Sequence, residues 1–412
     1  QNLLAPEKCH PNVTLPNIVG VSLFSKRLFE KDTPSMKARI LAISHLYPVP
    51  YDEFSGIAIH KQMKGLISQG CEVKVVAPVA WTPYPISHMS HKWKAYSEVP
   101  KYAVRDSIEV FHPRYLEFPK ALFFASSGCR LYRGIRKLAD HIYQVFPFDI
   151  IHAHTALPDG YAAMLLSKRY KKPLVTTFQG TDLGVTIHRN HKCFNAVDEV
   201  FKNSTKVIAP SPRLRETLYQ QMRLSSEIIS YGIYKEELFV GDSSLNKQYE
   251  GHSVLLSVSR LIQTKGIDLN LKAIAKLEER YPNIYYLIIG QGKERARLEK
   301  LVKDLNLQGK VEFLGQLPHQ KVMEYMSTCD IFSLPSWQET LGLVYLEAMA
   351  HGKPVIGVRG QGIDGIVEHG KTGMLVKPRD VDSLVEALDF LLSHPEEARA
   401  MGERARRLVL EN

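Results

Sequence analysis

The chain has no uninterrupted apolar run near the roughly 18 residues that a membrane-spanning helix requires; its longest apolar stretches are strand-sized, such as residues 285–289. Nothing in it is therefore expected to cross a bilayer as a helix. Cysteine is scarce and unpaired in pattern. The five, Cys9, Cys71, Cys129, Cys193 and Cys329, are odd in number, widely scattered and without a Cys-x-x-Cys spacing. This excludes a disulfide framework and a thiolate metal site and reads as a reducing, cytoplasmic setting. A nucleic-acid-binding module and interleaved aromatic and basic residues are both missing, so no nucleic-acid partner is expected. The sequons at Asn12 and Asn203 matter only in a secreted chain and are discounted.

What is present is a globular composition, 44% hydrophobic and 23% charged over 412 residues, long enough for two domains with separate cores. The formal net charge of +10 is unevenly placed: residues 36–205 carry an excess of nine positive charges and residues 206–412 none. A solvated basic surface accounts for this, and so does attraction to an anionic membrane or acidic acceptor. Residues 1–35 read as an N-terminal extension, and Met36 reads as the start of the folded protein. Charges at Lys26, Arg27, Glu30 and Lys31 interrupt any secretion-signal pattern there.

From residue 36 the chain alternates apolar runs with amphipathic helical stretches. Residues 38–44, 72–77, 150–154, 174–178 and 207–210 read as buried strands, with a helix at 57–69. The rhythm restarts at 254–258, 285–289, 311–314, 331–334, 355–358 and 374–376. The expected fold is α/β, two doubly wound Rossmann-like domains over 36–231 and 232–412, with a polar linker at 241–252. Parallel sheets gather ligands at the carboxyl ends of their strands, so the site is expected in the cleft between the domains.

Residues at those strand ends are the candidates. Arg260 closes the strand ending Ser257-Val-Ser-Arg260, and Lys265-Gly266 follows before a helix; two such cations suit a diphosphate, or are simply solvated. Ile289-Gly290-Gln-Gly292 is a glycine turn without the full Gly-x-Gly-x-x-Gly spacing, so it serves a phosphate or only a tight turn. The densest signal is Pro335-Ser-Trp-Gln-Glu339-Thr-Leu-Gly342-Leu-Val-Tyr-Leu-Glu347. Here a loop glutamate precedes a glycine and a helix start whose free amides favour phosphate oxygens. Asp380-Val-Asp382 reads as helix capping rather than a metal clamp. His152-Ala-His154 is read with its imidazoles on opposite faces of a strand, so zinc ligation is not expected.

From Met36 onward the chain resembles the retaining GT-B glycosyltransferases of family four. The likeness is carried by Ser55-Gly56, residues 257–266, Ile289-Gly-Gln-Gly292, Phe313-Leu-Gly-Gln-Leu317 and the Glu339–Glu347 motif. It implies a two-domain transferase using a nucleoside-diphosphate sugar, with UDP or GDP as nucleotide, and no metal or other cofactor. Arg260 and Lys265 would hold the donor diphosphate and Glu339 the sugar hydroxyls. Glu347 would hold the ribose, and the amides of Leu341, Gly342 and Leu343 the phosphate. Gly56 and Gly290 would approach the donor, and Leu317 would lie beside the base. The acceptor would be a cell-envelope glycan, polysaccharide or lipid-linked molecule, with the enzyme at the inner face of the membrane. A sugar-nucleotide epimerase and an inactive GT-B membrane scaffold share the architecture; the intact Arg260, Lys265, Glu339 and Glu347 set argues against the scaffold.

Two positions depart from the family pattern. Gln179, in Thr177-Phe-Gln179-Gly-Thr-Asp182, stands where relatives have a histidine that meets the donor sugar near its sixth carbon. It either reads the sugar or only holds its loop. Tyr231-Gly-Ile-Tyr234 stands where relatives have Asn-Gly-Ile-Asp. Residues 119–146 mix Leu122, Phe123 and Phe124 with Arg130, Arg133, Arg136 and Lys137, which makes either a membrane-facing edge or a core helix with a solvated basic side.

Overall fold

The computed structural model describes residues 38–234, 238 and 245–411. The N-terminal extension expected at 1–35 and residues 241–244 of the polar linker expected at 241–252 lie outside them. Among the described residues, ten strands belong to the first half: β1 Arg39–Ile43, β2 Glu72–Val76, β3 Val79–Ala80, β4 Tyr102–Arg105, β5 Ile108–Phe111, β6 Arg114–Tyr115, β7 Ile150–Ala153, β8 Leu174–Thr177, β9 Lys206–Ala209 and β10 Glu227–Ile228. Eight of them form one sheet in the order β10-β9-β8-β7-β1-β2-β5-β4, while β3 and β6 pair separately. Every pairing in that sheet is parallel except β4 with β5. Alternation along β1 sends Ile40 and Ala42 into one core and Leu41 and Ile43 into another. A strand buried on both faces, as helix-covered parallel sheets require, needs this continuous apolar run. The helix Ile57–Ser68 buries Ile59, Met63 and Leu66, a single stripe at helical spacing.

The second half repeats the plan with β11 Ser253–Val258, β12 Ile284–Ile289, β13 Val311–Gly315, β14 Ile331–Ser333, β15 Val355–Val358 and β16 Met374–Val376. Their order is β13-β12-β11-β14-β15-β16, all parallel. The strand order reverses beside β1 in one sheet and beside β11 in the other, the two places where doubly wound sheets open a crevice. The first sheet ends at Ile228, whereas Tyr231 already packs into the second core, so the boundary expected after residue 231 falls within this crossover. The helix Val381–Ser393 is capped by Asp380, whose carboxylate accepts from the Ser383 amide at 3.0 Å, as its sequence implied.

One sequence expectation needs correction, and one open alternative is decided. Residues two apart on a strand share a face, and the rings of His152 and His154 lie 4.1 Å apart, side by side rather than on opposite faces. His152 Nε2 is taken by Thr177 Oγ1 at 2.9 Å; burial pushes both imidazoles well below their usual range. Of the two readings of residues 119–146, the structure shows the core helix with a solvated basic side. The helix is Ser127–Val145, with Leu131, Ile135, Ala139 and Ile142 in the core and Arg133, Arg136 and Lys137 exposed. Leu122 and Phe123 protrude from the short turns before it.

Candidate functional site

The strand-end loops of both sheets meet around a cavity of about 510 Å³. Gly180, Thr181, Arg213 and Thr217 line it from the first domain, and Arg260, Lys265, Trp337 and Glu339 from the second. Arg260, Lys265 and Glu339 were separated by up to 79 positions in sequence and are here brought to one wall. The turn Gln263–Lys265 is stitched to the β14 loop: Trp337 N donates to Thr264 O at 3.0 Å and Ser336 Oγ to the same oxygen at 3.2 Å. This sets Lys265 Nζ 2.5 Å from Glu339 Oε2, in a pair whose side chains are only about 15% exposed. Gln361 Oε1 accepts from the Glu339 amide at 3.2 Å and fixes the loop from the other side. Arg260 is exposed and, among the described residues, has no carboxylate partner. The wall thus offers one free guanidinium and one lysine already matched to an acid.

The other sequence candidates are not among the residues that line this cavity. Glu347 sits in the helix Leu343–Ala350, buried, with Oε1 3.1 Å from His319 Nε2 and 3.5 Å from Lys61 Nζ. Burial alone would raise its pKa; His319 and Lys61 more than offset this and hold the carboxyl below its ordinary value. Leu317, two residues before His319, is half-buried against the second core. Leu341 is itself buried in that core. Gly342 caps the helix that Leu343 begins. Gly290 has φ 135 and its Cα lies so close to the Ser259 carbonyl that a Cβ would stand 1.8 Å from the oxygen. Gly56 has φ 72 and a Cβ there would meet Leu46 O at 1.3 Å. Both positions therefore demand glycine for packing alone.

Gln179 is held locally. Its side-chain amide donates to the Tyr231 hydroxyl at 2.5 Å, and its backbone amide to Asp182 Oδ2 at 2.8 Å. The two departures from the family pattern thus touch each other. Tyr234 completes the substitution by donating to Lys61 O at 2.8 Å. Asp182, fully buried, also accepts from the Ala156 amide at 3.0 Å; burial pushes its pKa up to about 6 against the pull of these amides.

Sequence reasoning missed several residues. Arg213 and Thr181 reach the cavity from the first domain, and Trp337 lies there with the Arg379 guanidinium 5.1 Å from its ring centre. Lys61 meets Glu347 from 286 positions away. His45 Nδ1 lies 2.9 Å from the buried Asp159. Burial disfavours its charge, yet Asp159 outweighs burial and the pKa is raised. Trp337 and Thr181 lay within motifs already singled out in the sequence; the others did not.

Two facing doubly wound domains with cations on one cleft wall define the GT-B class. The comparisons agree. Residues 56–236 match Glycosyltransferase Family 4 and residues 243–408 match Glycosyl transferases group 1. The chain is 32% identical over 273 residues to the N-acetyl-alpha-D-glucosaminyl L-malate synthase of Bacillus anthracis, covering 64% of this chain and 70% of that one. It is 26% identical over 358 residues to TuaC of Bacillus subtilis, a glycosyltransferase ascribed to teichuronic acid biosynthesis, covering 85% and 88%. In fold it is similar to the sucrose-phosphate synthase of Thermosynechococcus elongatus (TM-score 0.75, 21% identity, 91% and 94% covered). It also resembles HepE of Anabaena in complex with UDP and glucose (TM-score 0.68, 19% identity, 91% and 95% covered). The chain belongs to the family-four GT-B glycosyltransferases, the glycosyl transferases of group 1.

Proposed function

We propose that this glycosyltransferase moves a sugar, with retention, from a UDP- or GDP-sugar to a cell-envelope glycan or lipid-linked acceptor, without a metal ion. The observation that carries this is the shared cavity wall of Arg260, Lys265 and Glu339. Departure of a nucleoside diphosphate builds negative charge on the β-phosphate. Two fixed cations and the amides around Gly342 can meet that charge without a metal. Glu339 takes the sugar hydroxyls and Glu347, held ionised, the ribose. In the front-face reaction the bond from C1 to the phosphate oxygen breaks with its electron pair going to phosphate. The acceptor oxygen bonds to C1 on the same face, and its proton passes to the departing phosphate. The similarity to TuaC supports an envelope acceptor. The test is a panel of UDP- and GDP-sugars assayed in EDTA for nucleoside diphosphate release and for the anomeric configuration of the product. Inversion, or turnover only with added metal, would overturn the corresponding part.

A second feature supports work at an anionic membrane surface. Phe123 is 71% and Leu122 57% exposed, in a stretch shared with Lys120 and Arg130. All but Tyr219 of the large exposed hydrophobic residues of the described chain fall between Tyr51 and Val185, within residues 36–205 that carry the positive excess. Apolar side chains beside cations suit an acidic lipid interface.

A further inference from the structure

The cavity holds three cations and one acid: Arg213, Arg260, Lys265 and Glu339. Lys265 and Glu339 are paired, and Arg260 stands on the same wall. Arg213 is different. It belongs to the opposite, first-domain wall, on the helix Pro212–Met222, and among the described residues it has no carboxylate partner. The first turn of that helix carries Arg213 and Arg215 and no acid. A cation there opposes the helix dipole, so helix stability does not explain it. The helix start is also fixed in relation to the second domain. Ser211 Oγ donates to Thr340 O at 3.3 Å, and Pro212 packs within 3.5 Å of where a Gly365 Cβ would be. Arg213 is therefore carried on a backbone tied to the loop that bears Glu339.

We propose that Arg213 binds an oxyanion, a phosphate or carboxylate, borne by the acceptor close to its nucleophilic hydroxyl. The inference rests on the transferase reading of the cavity and names the acceptor's chemical class. In this arrangement Arg260 and Lys265 hold the donor diphosphate on one wall. Arg213 draws an acidic acceptor to the other, across a space of about 510 Å³. A guanidinium matches either oxyanion in a two-pronged contact, and the positive excess of residues 36–205 favours the approach of such an acceptor.

The experiment is calorimetric titration of glycerol 3-phosphate, with glycerol as the uncharged control, into the full chain with and without saturating UDP. The wild type is expected to bind glycerol 3-phosphate but not glycerol in the UDP complex. Arg213→Ala should weaken that binding about tenfold or more, as loss of a charge-assisted contact implies. Arg213→Lys should recover part of it, and UDP affinity should change less than about twofold. Arg260→Ala should show the converse pattern. The proposal is overturned if Arg213→Ala leaves glycerol 3-phosphate binding intact, or if the wild-type complex does not bind it. It is equally overturned if Arg213→Ala weakens UDP as much as Arg260→Ala does, which would assign Arg213 to the donor. If UDP does not bind the wild type, GDP takes its place in the titration; failure of both to bind would instead sink the transferase reading, and the titrations without nucleotide would still report on Arg213.

Discussion

Replacing Arg260 and Lys265 separately by alanine should give the same catalytic defect with different stability costs, because the structure gives them different surroundings. Arg260 is exposed and has no ion-pair partner among the described residues, so its truncation should change stability by less than about 0.5 kcal/mol. Lys265 Nζ lies 2.5 Å from Glu339 Oε2, with both side chains about 15% exposed. Its loss strands a mostly buried carboxylate. A fully buried pair would cost about 3–5 kcal/mol to break; the opening to the cleft reduces this to about 1–2 kcal/mol, or a few degrees in melting temperature. Both cations face the charge that develops on the leaving group, so each variant should lose about 10²- to 10³-fold in kcat. The double variant should lose less than the product, since both act on one diphosphate. Nucleoside diphosphate release and thermal melting are the assays. Near-normal turnover in both single variants, or equal melting losses in the two, would refute the reasoning.

Gln179→His should lower stability by about 1 kcal/mol through loss of the Tyr231 contact, with relative kcat/KM among donors differing at the sixth carbon unchanged; a selective shift for one donor would show that position 179 reads the sugar after all. For Asp182, whose pKa rises from 3.8 to about 6 on folding, the folded state holds the proton more tightly. Its contribution to stability is therefore full below about pH 4 and lost as pH rises through 6. At about 1.4 kcal/mol per tenfold change in proton affinity this amounts to about 3 kcal/mol. Urea unfolding at a series of pH values should show that slope in the wild type and a flatter one in Asp182→Asn; parallel curves would exclude Asp182 as its source. Co-sedimentation with anionic vesicles should fall several-fold in the Leu122→Ser, Phe123→Ser double variant, and binding that ignores lipid charge would defeat the membrane reading.

Most strands were legible because a helix-covered parallel strand must be apolar on both faces, and such runs stand out. The β4–β5 hairpin was not. Its strands are short and half-exposed, and its turn, with Asp106 and Ser107 at φ 46 and 65, lacks the glycine that usually announces positive φ. The Glu339–Glu347 motif marked one cleft wall, since loop, glycine and helix lie in one continuous segment. Arg213 was illegible because the cavity it lines is completed by residues of the other domain, and Lys61 because its partner Glu347 lies 286 positions away; no local spacing encodes either. Gln179 and Tyr231 looked like two separate departures, 52 positions apart, until their hydrogen bond joined them. The histidine pair shows the reverse case: the period of two was enough to place His152 and His154 on one face.

The most direct test of the central claim is calorimetric titration of UDP and of GDP into the wild-type chain and Arg260→Ala, in EDTA. The account predicts that one of the two nucleotides binds the wild type in the micromolar range or tighter without metal, and binds Arg260→Ala at least about tenfold more weakly. Absence of binding by both nucleotides, or equal binding to wild type and variant, would contradict the assignment of this cleft to a nucleoside-diphosphate sugar.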